Sequence, residues 1–179
     1  MYKLKVMHIL YLHGLESSAG GEKVEYLRML GHMVESPEID YTDEKTFNQL
    51  RTFIQFAEME EPVDLIIGSS MGGYFAYELG KYYGIPVLLF NPALHSRPYE
   101  PVCKTIDPAL ASSPLIFLGV GEHDDVIDYT KTLDILDNNV GESFFRGNYW
   151  KGDHGHQTPI EFFQKVFANT EERLSKIPQ

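Results

Sequence analysis

Short runs of apolar residues recur along the chain, and between them apolar residues return every three or four positions. The runs Val6–Leu12, His32–Ile39, Asp64–Ser69, Pro86–Phe90, Pro114–Val120 and Ser143–Tyr149 predict strands. In the third, Leu65, Ile66 and Ile67 form an unbroken apolar stretch, the pattern of a strand buried on both faces. Val24, Leu27 and Leu30 share one helical face, predicting a helix over Glu22–Leu30 that Gly31 stops. Phe47, Leu50, Ile54 and Ala57 do the same for Asp43–Glu60, closed by Pro62. Further helices are expected over Met71–Tyr83, ended by Gly84, and over Tyr129–Asn138. The last helix carries a start signal in which Thr158 caps, Pro159 takes the first helical position and Glu161 completes a Thr-x-x-Glu box.

Strands alternating with helices imply a parallel sheet covered on both faces. Ligands of such sheets bind beyond the carboxyl ends of the strands. The loops starting at His13, Ser69, Asn91, Gly121 and Tyr149 are therefore expected on one rim. There are no repeats, low-complexity tracts or linkers, and 179 residues suit a single domain spanning 1–179.

Composition narrows the function. A net charge of −11 and a pI near 5.0 argue against non-specific binding to nucleic acid or anionic membranes. Cys103 is the only cysteine, so an internal disulfide is impossible; it reads as a packed or surface thiol and suits a reducing cytoplasm. No stretch approaches the ~18 consecutive apolar residues of a membrane span. Lys3 and Lys5 before an apolar run imitate a signal peptide, but His8, Tyr11 and His13 interrupt it, and the expectation is an unprocessed cytoplasmic protein.

The strongest chemical signal is IIGSSMGGYF, residues 66–75. Gly-x-Ser-x-Gly fits only around Ser70, with Gly68 and Gly72; around Ser69 it would need glycine where Ile67 and Met71 stand. A serine on a sharp strand-to-helix turn brings the residues two before and two after it together, so neither can carry a bulky side chain. A Walker loop is excluded, because no lysine occurs between Glu60 and Gly80. Ser70 is thus the candidate nucleophile.

A serine hydroxyl needs a base, and the base needs orienting. With this motif the partners follow in the order serine, acid, histidine. The loop NYWKGDHGHQTP offers His154 and His156; His154, after a Gly-Asp pair that can turn at the strand end, is the expected base. The acid is expected from GVGEHDDVIDY at Asp124, with Asp125, Asp128 and Glu122 as alternatives. Backbone N–H groups of Leu15 and Met71 would form the oxyanion hole, with His13 steering its loop. Tyr74, Tyr99, Tyr149 and Trp150 are candidates for an apolar acyl pocket. His123, Asp124, Asp125, Asp153, His154 and His156 could converge on a metal, but no Cys cluster or His-Glu-x-x-His pattern supports one, so neither metal nor other cofactor is expected.

Assembled, these residues make the chain resemble the α/β-hydrolase superfamily, and within it the small YqiA-type esterases. The matching stretches are YLHGLESS, IIGSSMGGYFA, LLFNPAL, GEHDDVIDY and KGDHGHQ, in family order between residues 11 and 157. The resemblance implies a single α/β-hydrolase core with little or no lid, and a parallel six-stranded sheet in the order 2-1-3-4-5-6. It places Ser70, Asp124 and His154 at triad positions and implies hydrolysis of small acyl esters or thioesters. Relatives usually carry phenylalanine and asparagine after YLHG where this chain has Leu15 and Glu16, and a carboxylate there would repel an anionic substrate. A non-catalytic binding protein and a peptidase on the same scaffold are the rival readings; a complete triad set argues against the first, and the absence of room for a peptide-gripping domain against the second.

Overall fold

In the computed structural model, which describes residues 5–102, 113–140 and 148–177, the strands form one sheet. β1 (His8–Leu12), β2 (Met33–Glu35), β3 (Leu65–Ser69), β4 (Val87–Phe90), β5 (Ile116–Gly121) and β6 (Tyr149–Gly152) lie in the order β2-β1-β3-β4-β5-β6. Every pairing is parallel. This is the expected topology. The helices are α1 (Glu22–Met29), α2 (Thr46–Glu60), α3 (Met71–Tyr83), α4 (Tyr129–Val140) and α5 (Ile160–Leu174).

The two-residue period of the strands divides the core into two layers. Leu10, Leu12, Ile66, Val87, Leu89, Ile116, Leu118 and Val120 face one side, where they meet Leu50 and Ile54 of α2, Phe75 and Leu79 of α3 and Leu136 of α4. Ile9, Tyr11, Leu65, Ile67, Leu88, Phe90 and Phe117 face the other, against Val24 and Leu27 of α1 and Phe163, Val166 and Phe167 of α5. Strands covered on both faces need apolar residues at every position, which is why they read as unbroken runs.

Departures from the sequence reading fall at element ends. β2 pairs only over Met33–Glu35, not to Ile39, because it is an edge strand with a single neighbour and Pro37 cannot donate to a ladder. β1 begins at His8, leaving Val6 exposed. α2 starts at Thr46 rather than Asp43, since Asp43 spends its carboxylate on the Lys45 amide in a turn before the helix. The expected capping box of α5 does not form: Pro159 occupies the cap position in extended conformation with no side-chain cap bond. β6 covers Tyr149–Gly152; of the strand expected over 143–149, residues 143–147 lie outside the described residues, as does Cys103. Among the described residues no helix is long and apolar enough to cross a membrane.

Candidate active site

Ser70 sits between β3 and α3 at φ 52°, ψ −115°, a conformation that non-glycine residues rarely take. Such strain, on the order of 1–3 kcal/mol, persists only where the surroundings enforce it. Here the Ser70 amide donates to the Phe90 carbonyl at 3.0 Å and the Ala93 amide donates to the Ser70 carbonyl at 2.9 Å, so the β4 end pins the turn from both sides. The flanking glycines are obligatory. A Cβ on Gly68 would collide with the Gly72 backbone, and a Cβ on Gly72 would collide with the carbonyls of Leu12 and His13. Ser69, on the strand end, takes no part in the turn's strain.

His156 lies across the rim from Ser70. Its Nε2 is 3.2 Å from Ser70 Oγ, and its Nδ1 is 2.9 Å from Asp124 Oδ2. Asp124 Oδ1 accepts from the amides of Val126 and Ile127, both at 2.8 Å, so both carboxylate oxygens are occupied and its side chain is fully buried. A carboxylate can only accept, so imidazole Nδ1 carries the proton and Nε2 is left to accept from the Ser70 hydroxyl.

His154, expected beside Ser70, is not there; the imidazole between Ser70 and Asp124 is that of His156, a correction of the sequence reading. Pairing of Gly121 with Gly152 carries β6 three residues past its expected end at Tyr149. His154 folds back over these two bare glycines, where Cβ atoms would strike its ring, and packs 4.7 Å from the Phe162 ring. Its Nδ1 donates to the Gly155 carbonyl at 2.8 Å. His156, two residues on, clears the sheet edge. The other acids are engaged elsewhere or point away: Glu122 pairs with Lys151 at 2.6 Å, and Asp125 is exposed. Asp128 accepts from the Thr130 hydroxyl and amide, which hold its carboxyl below the usual range. His123 pairs with Asp153 at the surface, and among the described residues no three His, Cys, Asp or Glu side chains converge as ligands of a metal would.

A cleft of about 460 Å³ opens at Ser70, with Leu15, Met71, Ala93, Pro98, Val126, Ile127 and His156 among its walls. Met71 is the first residue of α3, where an amide has no intrahelical acceptor. The Leu15 amide is set by its neighbour. His13 Nδ1 donates to the Gly14 carbonyl at 2.7 Å while its Nε2 accepts from the Ile39 amide at 3.1 Å, and the Ser17 amide also donates to Gly14 at 3.1 Å. Because a trans peptide points its C=O and N–H in opposite directions, fixing the Gly14 carbonyl fixes the Leu15 N–H the other way.

The four aromatic candidates do not line this cleft, a second correction. Tyr74 packs on the core with the Arg97 guanidinium 4.2 Å over its ring. Tyr99 and Tyr149 pack against the same layer, and burial raises both phenols above their ordinary pKa. Trp150 packs on the opposite layer, 5.2 Å beneath Arg173. Asn91, which none of the sequence motifs marks as a site residue, also belongs here. At φ 41° and 2% exposed, it donates through Nδ2 to the His156 carbonyl and accepts from the Gly121 amide through Oδ1, both at 2.8 Å. An asparagine closing a buried strand just before a proline was the available signal, since asparagine tolerates positive φ.

Residues 8–114 match the model of a family described as an uncharacterised protein family, UPF0227. A UPF0227 protein of Pasteurella multocida is 33% identical over 106 residues, covering 55% of this chain and 57% of that protein, so the chain spans just over half of that relative's length. A UPF0227 protein of Vibrio parahaemolyticus is 29% identical over 151 residues, covering 72% and 82%. Among solved structures, a candidate hydrolase of the alpha/beta superfamily from Xanthomonas campestris superposes with a TM-score of 0.65 at 19% identity, over 96% of this chain and 98% of that one. The esterase domain of a Rhodothermus marinus protein gives 0.65 at 14%, over 95% and 86%. A variant of SOBER1 from Arabidopsis thaliana gives 0.71 at 15%, over 96% and 100%. At these identities the likeness establishes the α/β-hydrolase fold.

Proposed function

The chain belongs to the UPF0227 family, on an α/β-hydrolase fold, and we propose that it is a serine hydrolase cleaving small acyl esters or thioesters through an acyl-enzyme. The observation that carries this reading is the line Ser70 Oγ, His156 Nε2, His156 Nδ1, Asp124 Oδ2, with steps of 3.2 and 2.9 Å on either side of the imidazole. The esterase and hydrolase names of the structural neighbours agree with it.

His156 takes the Ser70 proton as Oγ attacks the acyl carbon, and Asp124 stabilises the imidazolium without accepting the proton itself. The Leu15 and Met71 N–H groups hold the tetrahedral oxyanion, at the positive end of α3. Collapse of this intermediate breaks the bond to the leaving alcohol or thiol, which receives the proton from His156. Water, deprotonated by the same imidazole, then attacks the acyl-Ser70 ester and releases the carboxylic acid. The apolar wall formed by Leu15, Val126 and Ile127 suits a short acyl chain.

The test is turnover of p-nitrophenyl acetate, butyrate and octanoate, and of the matching acyl thioesters, by the wild type and Ser70→Ala. Hydrolysis of the shorter esters that vanishes in Ser70→Ala supports the reading. Absence of Ser70-dependent turnover on every ester and thioester in the panel contradicts it.

A further inference from the structure

A second cleft, of about 280 Å³, adjoins the catalytic one and shares Gly14, Ser17, Ser69 and Gln157 with it. Its own walls include Tyr11, Gly21, Glu22, Lys23 and Thr158. The first cleft carries most of the aliphatic side chains beside its own Ser96, Arg97 and Glu16; this one has no aliphatic wall and offers hydroxyls, an ammonium and backbone amides.

Tyr11 is the most telling of these groups. The residue is 6% exposed, yet its hydroxyl makes no hydrogen bond among the described residues and is not sealed from solvent. The exposed remnant therefore faces the cleft that Tyr11 lines. Burial pushes its pKa up to about 12, so it stays a neutral donor. A hydroxyl that opens into a cleft and has no protein partner is free to donate to a ligand there. Lys23 adds a cation. It is partly buried in the first turn of α1 and makes no ion pair within 4 Å among the described residues; burial pulls its pKa down, and the neighbouring Glu22 carboxylate opposes that shift. Gly21 caps α1 without a side chain, so the first-turn amides are open to a ligand.

We propose that this second cleft is an anion subsite, in which the Tyr11 hydroxyl, the Lys23 ammonium and the N-terminal amides of α1 hold a phosphate or carboxylate carried by the substrate's leaving group. The proposal rests on the hydrolase reading of Ser70. The leaving group is assigned to this side because Gln157 and Thr158 directly follow His156, the residue that hands it a proton. Gly14 and Ser69, the chain neighbours of Leu15 and Ser70, line both clefts, so the two meet beside the catalytic serine. The substrates so described are acyl esters of small hydroxy acids or phosphorylated alcohols. Glu16, the carboxylate expected to repel anions, lines the first cleft but not the second. Glu22 does line the second, and its charge moderates the site.

The test compares kcat/KM for the butyrate esters of 2-hydroxyethyl phosphate, glycolate and glycolamide, on wild type, Lys23→Met, Tyr11→Phe and Glu22→Gln. The wild type is expected to prefer an anionic ester over the neutral glycolamide ester, and the two anionic arms tell phosphate from carboxylate. Lys23→Met should reduce that preference about tenfold, as expected for a charge-assisted hydrogen bond. Tyr11→Phe should reduce it severalfold, and Glu22→Gln should increase it. Equal turnover of all three esters, or equal losses on all three in Lys23→Met, overturns the subsite and leaves the hydrolase reading intact. If neither these esters nor the p-nitrophenyl esters and thioesters are cleaved, the hydrolase reading fails; in either case without turnover of these three, calorimetric titration with inorganic phosphate decides the subsite. Binding to the wild type that weakens about tenfold in Lys23→Met sustains it; no binding to the wild type overturns it.

Discussion

Asn91 Nδ2 donates to the His156 carbonyl at 2.8 Å, tying the end of β4 to the loop that carries the imidazole. The same side chain accepts from the Gly121 amide, so one buried residue sets the spacing of three rim loops. Asn91→Asp keeps the acceptor and removes the donor, setting a carboxylate against the His156 carbonyl. It should fold, lose about 1–3 kcal/mol in urea denaturation, and lose roughly tenfold or more in kcat with little change in KM. An unchanged kcat would show that the loop holds His156 without this bond.

Asp124 and Asp125 are neighbours with opposite environments, one buried and triply bonded, the other exposed. Asp124→Asn should lower kcat by about 10⁴, because an amide that must donate to Nδ1 favours the wrong tautomer. Asp125→Asn should stay within about twofold, as surface changes usually do. Comparable losses in both variants would argue that the acid is misassigned.

Gly68→Ala would drive a methyl into the Gly72 carbonyl and the Ala76 side chain. Overpacking of this kind costs about 1–3 kcal/mol or more, and the displacement would fall on the elbow itself. The expected result is a lower Tm together with a loss of Ser70 reactivity. Ser69→Ala, one position on, should keep both, and thermal melts with p-nitrophenyl butyrate turnover compare the pair.

His13 acts through Gly14 rather than on substrate. His13→Leu removes one buried and one part-buried hydrogen bond and frees the Gly14–Leu15 peptide to rotate. One lost oxyanion donor typically costs about 10²–10³ in kcat, and that loss should appear with KM nearly constant. Steady-state kinetics in which only KM rises would contradict this role for the Leu15 amide.

The fold was legible because its signals are local. Leu65-Ile66-Ile67 and Val87-Leu88-Leu89 can only be strands covered on both faces, and the frame of Gly68 and Gly72 isolates Ser70 from Ser69 without any tertiary knowledge. The base was not, because the choice between His154 and His156 depends on where β6 leaves the sheet, and that is set by the pairing of Gly152 with Gly121, distant in sequence. Both histidines follow a turn-forming glycine, so local chemistry cannot separate them. The aromatic pocket failed for a related reason. A single Tyr74 or Trp150 carries no information about which side of the sheet rim it faces. Asn91 escaped attention because its importance lies in what it joins.

In the proposed mechanism His156, not His154, activates Ser70. Labelling with a fluorophosphonate separates the two histidines, with intact-mass kinetics and peptide mapping on the wild type, Ser70→Ala, His156→Ala and His154→Ala. Expected are an adduct on Ser70 in the wild type, none in Ser70→Ala, a labelling rate slowed by about 10³ or more in His156→Ala, and a His154→Ala variant that labels at a rate within about tenfold of wild type while melting at lower temperature. A His154→Ala protein that is folded but unlabelled, beside a His156→Ala protein that labels normally, would contradict it.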